Sequence, residues 1–335
     1  MFFNNKKVLI IGGTGTIGQS LLTYILKENP STISIFSRDE YKQFKLKSEK
    51  GNHNDKIRYI IGDIRNYSCV YSAMEGMDYV FHVAAMKHVT FCEENPYEAA
   101  LTNIVGTQNV IKAAIAQKIK KVVFTSSDKA ISPTNSYGAT KLIAERLISS
   151  SELFKGSSNT IFSCVRFGNV MGSRGSVIPL FVNQIRKNKK ITLTDSSTSR
   201  FMMTLEQATK LTVEAMKVST GGEIFILKMP VILLKDLAYV VMKEASRKYN
   251  ILFEEIEIEE IGLRPGEKRY EELMTYEESI SALELPNMFI IPQNPAENKD
   301  YKNIKKAQIG NYQSDKQNPI SMLEIQKIIQ SEKLI

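Results

Sequence analysis

The stretch TSSDKAISPTNSYGATK, residues 125–141, holds two proton-handling pairs. Tyr137 and Lys141 stand four apart in YGATK, which puts both on one side of a helix. A nearby ammonium lowers a phenol's pKa from about 10 towards neutrality. Tyr137 can then take a proton from a substrate hydroxyl while a hydride leaves the same carbon for a nicotinamide. Ser127, at the end of a predicted strand, is placed to hydrogen-bond the reacting oxygen. Asp128 and Lys129 form a second acid–amine pair shortly before. One pair is enough for a simple hydride transfer, so the second asks for further proton chemistry.

A dinucleotide must lie beside these groups, and IIGGTGTIGQSLL carries its signature. Gly12, Gly15 and Gly18 fall in a GxxGxxG spacing between a strand and a helix. That spacing gives a tight turn, backbone close to a pyrophosphate and close helix–strand packing. The exposed N–H groups around Thr14, Thr16 and Ile17, with the positive end of the helix dipole, then hold the anion. The second strand ends IFSRDE. NAD proteins usually place an acid there for the ribose 2′-hydroxyl. Here Ser37 and Arg38 come first, and a guanidinium suits a 2′-phosphate, which favours NADP. Asp39 reads as the cap of the next helix. In GDIR, Asp63 and Ile64 read as contacts to the adenine edge; for Asp63 a plain turn role is equally consistent.

The elements that position these residues are short β-branched runs alternating with helix-length stretches. The runs are KVLIIG (7–12), TISIFS (32–37), IRYIIGD (57–63), YVFHVA (79–84), KVVFTS (121–126) and FSCVRFG (162–168). Such runs read as strands buried on both faces of a parallel sheet. Amphipathic segments such as 99–117 separate them, giving right-handed βαβ units. The predicted fold is α/β, a doubly wound parallel sheet of Rossmann type. Residues 1–170 would form the NADP-binding domain. Residues 171–335 would form mainly a smaller substrate-binding domain, with some chain returning to the first. FEEIEIEEIG (253–262) alternates apolar and charged residues, which predicts a strand with one solvated face. Residues 293–318 read as a surface connection and SMLEIQKIIQ (321–330) as a closing amphipathic helix.

Composition narrows the class. With 335 residues, 43% apolar and 24% charged, the chain is an ordinary globular one. Cys69, Cys92 and Cys164 are scattered, so neither a disulfide framework nor a metal site is expected. No apolar run approaches the roughly 18 residues of a membrane span, and VLII reads as a buried strand rather than a signal peptide. A cytoplasmic protein without membrane insertion is expected. The net charge of +8 is diffuse, and there is no Trp, which argues against nucleic acid as partner. The basic run IRKNKK (185–190) reads as a solvated helix end or, alternatively, as a surface attracting an anionic substrate.

The glycine loop, GDIR, AAMKHV, TSSDKA, YGATK, RFGNVMGSRGS and GLRPGEK occur in one order along nearly the whole chain. In this the sequence resembles the extended short-chain dehydrogenase/reductase family that acts on nucleotide sugars. It looks closest to the inverting UDP-N-acetylglucosamine 4,6-dehydratases of bacterial surface-polysaccharide and pseudaminic-acid pathways. It departs from the family pattern at Ile11, where Thr is common, and at Ser127, where Thr is frequent and the hydroxyl is kept.

The resemblance implies a UDP-sugar substrate, a homo-oligomer and a division of roles. Tyr137, Lys141 and Ser127 would move the hydride at C4. Asp128 would be the acid to O6 and Lys129 the base at C5. Lys129 must then be neutral, and burial, Lys141 and the nicotinamide are expected to lower its pKa from about 10.4. Ala84, Ala85 and Lys87 would adjoin the cofactor. Lys87, His88, Asn169, Arg174, Arg200, Arg264 and Glu267 would hold the substrate, arginine forks suiting its diphosphate. Two rivals stay open: a UDP-sugar 4-epimerase, which has no need of Asp128 and Lys129, and a dinucleotide-sensing regulator, which has no need of Tyr137 or Lys141.

Overall fold

The computed structural model describes residues 1–50, 55–294, 301 and 304–335. The six apolar runs form strands β1 (Lys7–Ile11), β2 (Thr32–Ser37), β3 (Ile57–Ile61), β4 (Tyr79–His82), β5 (Lys121–Thr125) and β6 (Ile161–Arg166). They pair in parallel in the order β3-β2-β1-β4-β5-β6. β1 and β4 are buried almost throughout, as expected where helices cover both faces; β3, at the sheet edge, is only partly buried, contrary to the expectation for all six runs. A seventh parallel strand, Ile224–Leu227, lies beside β6, and Met288–Ile291 pairs antiparallel to it. Two further short strands complete a sheet of ten.

The strand order reverses between β1 and β4. In an open α/β sheet the crevice outside the carboxyl ends at such a reversal is the ligand site. The loops after β1, β2, β3, β4, β5 and β6 leave from those ends, while GLRPGEK follows the separate strand Glu257–Glu260.

Two apolar cores divide the chain. The first surrounds the sheet and takes in the helix Leu205–Val218 and the strands Ile224–Leu227 and Met288–Ile291. The second is built on the helices Val177–Asn188 and Leu234–Tyr249. The helix Met322–Ser331 buries Ile325 and Ile329 in that second core, and a Ser321–Glu324 capping box starts it. Chain beyond residue 171 therefore serves both units.

Three local expectations change. The predicted strand 253–262 shrinks to Glu257–Glu260, preceded by a single 3-10 turn, and all four of its residues are exposed. It forms a two-stranded edge with Lys190–Leu193, so its isoleucine has no layer to face. Ion pairs Lys189–Glu255 (2.7 Å) and Lys190–Glu259 (2.9 Å) occupy the end of the basic run against this segment. Within 293–318, residues 295–300 and 302–303 lie outside the described residues. The described part adds short strands at Lys305–Lys306 and Tyr312–Gln313 rather than loop alone. The helix expected over 99–117 contains a π-helical turn at Leu101–Val105. Among the described residues no helix is long and apolar enough to cross a membrane.

Candidate active site

The glycine turn closes tightly against β4. Gly12 has φ 86°, and a Cβ there would lie 2.7 Å from the Ala84 backbone nitrogen. Only glycine fits both the conformation and the approach. The helix Thr16–Leu26 starts after Gly15 with no side-chain cap, so its first N–H groups are available to an anion. Gly12, Gly15, Thr16, Ile17 and Gly18 line a cleft of 860 Å³. Behind it, Thr14 and Ser37 hydrogen-bond each other at 3.0 Å.

At the end of β2, Asp39 accepts the Lys42 backbone N–H at 2.9 Å and caps the following helix. Arg38 and Lys42 line the cleft. Asp63 is bound by Arg65, with its carboxylate 2.6 Å from the guanidinium. Ile64 is buried, and its carbonyl accepts from Asn109. Neither is among the cleft's lining residues, which include Ala85 and Lys87.

The second half of the cleft is catalytic in composition. The helix Ser136–Ser149 begins at Asn135, whose side chain accepts the Gly138 N–H at 2.8 Å. Tyr137 and Lys141 are buried on it. Lys141 donates to the Thr125 carbonyl at 2.6 Å and sits 4.0 Å over the Phe124 ring. Burial lowers its pKa to about 7. The expected lowering of the Tyr137 phenol by Lys141 is corrected here. Burial raises the phenol above its ordinary value; the cation that opposes this is Lys129, together with a hydrogen bond to Ser127. The reason is geometric, since Lys141 points its amine at a main-chain carbonyl and loses charge near neutrality.

Past β5 the chain stays pinned to β6: Ser126 N donates to Val165 O at 2.7 Å and Asp128 N to Phe167 O at 3.2 Å. A single 3-10 turn, Asp128–Ala130, follows. Ser127 Oγ donates to Asp128 Oδ1 at 2.8 Å. Lys129 Nζ lies 3.2 Å from Asp128 Oδ1, 3.1 Å from Glu271 Oε1 and 3.4 Å from Asn169 Oδ1. Asp128 Oδ2 and Glu271 Oε2 are buried with no protein partner among the described residues.

This arrangement overturns the expected cationic crowding around Lys129. Burial alone would lower its pKa, but Asp128 and Glu271 outweigh burial and raise it, with Arg200 opposing them. Lys129 rests as an ammonium between two carboxylates.

A second cavity of 800 Å³ adjoins the cleft, and Lys87, His88, Lys129 and Asn169 line both. Arg200, Arg264, Glu267 and Glu271 line the second cavity. Arg200 is buried and committed to the GLRPGEK loop, donating to the carbonyls of Lys268 (2.7 Å) and Arg269 (3.1 Å) and to Glu267 (3.3 Å). Arg264 is exposed at the rim. Arg174, expected on the substrate side, lies on the glycine turn instead: its guanidinium donates to the Thr14 carbonyl, and Lys87 Nζ holds its own carbonyl at 3.0 Å.

Two residues escaped sequence reasoning. Glu271 sits in RYEEL, where nothing local marks it; its partner Lys129 comes from a distant part of the chain. Asn103 lies in the π-helical turn. Its side chain accepts Met86 N (2.8 Å) and donates to Met86 O and Thr140 Oγ1 (both 3.0 Å). It thereby ties the AAMKH loop to the helix Ser136–Ser149 and places a π-helical turn at the candidate site.

Comparison with known proteins agrees with this geometry. The model of the polysaccharide biosynthesis protein family matches residues 8–293. The crystal structure of Pen from Bacillus thuringiensis is 64% identical, covers all of both chains and superposes with a TM-score of 0.95. A UDP-glucose 4-epimerase of Rickettsia bellii is 42% identical over 87% of this chain and 84% of its own. DesIV, a dTDP-glucose 4,6-dehydratase of Streptomyces venezuelae solved with NAD and TYD bound, is 18% identical with a TM-score of 0.69 over 78% of this chain and 86% of its own, a likeness of fold alone. The chain belongs to the polysaccharide biosynthesis protein family of extended short-chain dehydrogenases/reductases, which its relatives named UDP-glucose 4-epimerase share over most of its length.

Proposed function

We propose that the protein is an NADP-dependent UDP-N-acetylglucosamine 4,6-dehydratase that inverts C5. One observation carries the reading. Ser127 donates to the Asp128 carboxylate, Asp128 contacts Lys129, and Tyr137 lines the same cleft beside them. Tyr137, Ser127, Asp128 and Lys129 thus face one cleft, and Lys129 also lines the second cavity.

The uncapped helix and the glycine cradle fit a dinucleotide pyrophosphate, and Arg38 fits its 2′-phosphate. Bound there, the nicotinamide would accept a hydride from sugar C4 and return it to C6. Tyr137, once its own proton has left to solvent through the cleft it lines, takes the O4 proton, with Ser127 aligning that oxygen. The C4 ketone makes the C5 proton acidic. Passing one proton across the 3.2 Å contact from Lys129 to Asp128 turns the resting ion pair into a neutral amine and a neutral acid. Lys129 then takes the C5 proton and Asp128 gives its proton to O6, which leaves as water. A proton delivered to the opposite face of C5 completes the inversion. Asn169, Lys87 and His88 would adjoin the sugar, and Arg264 and Glu267 the nucleotide.

The name of the Rickettsia relatives favours a second reading, a UDP-sugar 4-epimerase. One experiment separates the two: incubation with UDP-N-acetylglucosamine in D₂O, followed by NMR. The expected product is a 6-deoxy-4-keto sugar with deuterium at C5. A UDP-N-acetylgalactosamine product without label at C5 would replace the dehydratase by the epimerase.

A further inference from the structure

We propose that Glu271 is a positioning residue of the reaction, holding Lys129 Nζ between two carboxylates and governing where their shared proton rests. The proposal rests on the dehydratase reading for its link to turnover, but it concerns the state of Lys129 itself.

The glutamate is built in rather than stray. It is 3% exposed. Its backbone is held twice by Ser314, which accepts Glu271 N at Oγ (2.9 Å) and donates its own N–H to Glu271 O (2.9 Å). Ser314 Oγ in turn bonds Ser199 Oγ at 2.8 Å. One oxygen reaches Lys129 at 3.1 Å; the other has no protein partner among the described residues. A buried carboxylate is costly unless paired, and the ion pair it makes is with the proposed base. The charged and titratable groups that bear on Lys129 are Asp128, Glu271, Arg200 and Tyr137. Arg200 Nε stands 3.9 Å from Glu271 and offsets part of its charge.

Three groups therefore share one transferable proton. Arming the site moves it from Lys129 to Asp128: one N–H bond breaks, one O–H bond forms, and the net charge of the trio is unchanged. The Glu271 charge favours protonation of both neighbours. It thus keeps the proton inside the trio as pH rises, and it fixes Nζ beside Asn169 and the cavity.

The test compares wild type with Glu271→Gln and Glu271→Asp. Dehydration rate and C5 deuterium exchange are followed against pH, and the Lys129 amine is titrated by NMR of ¹³C-labelled lysine, with Lys129→Met supplying the assignment. Glu271→Gln should lower kcat about tenfold or more while KM for the UDP-sugar changes less than about threefold. It should also move the descending limb and the Lys129 titration to lower pH by about one unit, the shift expected of an opposite charge at this distance. Glu271→Asp should restore most of that shift. A slower variant with both pH curves unmoved would overturn the proposal, as would a fully active one. If Glu271→Gln does not fold, Glu271→Asp decides by the same curves, being expected to titrate between wild type and the ordinary lysine value. If wild type makes no keto sugar the dehydratase reading fails, while the lysine titration still judges Glu271.

Discussion

Arg38 and Asp39 are neighbours of opposite charge with separate duties. Asp39 spends its carboxylate on the Lys42 N–H and ammonium, leaving Arg38 to face the cleft beside the glycine turn. A ribose 2′-hydroxyl would want the acid; a 2′-phosphate wants the guanidinium. Arg38→Ala should therefore raise Kd for NADP about tenfold to a hundredfold, the loss of one charge-assisted contact of roughly 1.5–3 kcal/mol. Kd for NAD should change by less than about threefold. Calorimetric titration with both nucleotides checks this, and an equal loss for both would move the 2′-phosphate elsewhere. At this scale the local motifs were legible: GxxGxxG, YGATK and the Asp128–Lys129 pair all announce themselves by spacing. The charge state of Lys129 was not, because Glu271 and Arg200 approach it from distant parts of the chain. Spacing encodes neighbours on one element, and it carries no information on which carboxylate arrives from another.

The helix Ser136–Ser149, which carries Tyr137 and Lys141, is aligned by contacts at both ends. Near its N-terminus a side chain at Gly138 would collide with the Lys129 carbonyl, so the YGATK glycine is what lets Tyr137 sit against the Asp128–Ala130 turn. Further along, Glu145 takes the fully buried Arg166 of β6 at 2.5 Å, and Arg166 also holds Glu278 at 2.9 Å. Arg166 donates to the Leu273 carbonyl at 2.8 Å as well. Leu273 lies in the short strand Glu272–Met274, which directly follows Glu271, so one guanidinium sets helix and glutamate in a common register. The strand runs and βαβ order were legible because burial on both faces writes a continuous apolar run. The π-helical turn was not, since Leu101–Val105 has the same composition as the helix around it. Gly138→Ala should cost about 1–3 kcal/mol in stability, as overpacking typically does, and should lower kcat about tenfold or more by displacing Tyr137 from Ser127. Urea denaturation and turnover measured together check it. Unchanged turnover would mean that the helix is free to shift without misaligning the phenol.

On the scale of the whole molecule, the first core encloses ionisable groups that stability must carry. His82 closes β4 fully buried. Its Nε2 meets Thr107 Oγ1 at 3.0 Å, and Nδ1 has no partner among the described residues. Burial first, then the nearby Lys141, lower its pKa to about 3. Unfolded, it titrates near 6.5. Between those values the unfolded chain binds up to one proton more than the folded one, so stability falls as pH falls, by up to about 1.4 kcal/mol per unit. The contribution is complete above 6.5 and drains away towards 3. Lys141, at about 7 in the fold against roughly 10.4 free, adds a slope of the same sign at higher pH. His82→Gln keeps an amide for Thr107 and has nothing to titrate. Its stability relative to wild type should therefore improve steadily as pH drops from 6.5 to 4, by about 2–3 kcal/mol over the range. Denaturant midpoints taken at half-unit intervals read this directly, and two parallel curves would mean that His82 takes up its proton without cost in the folded chain.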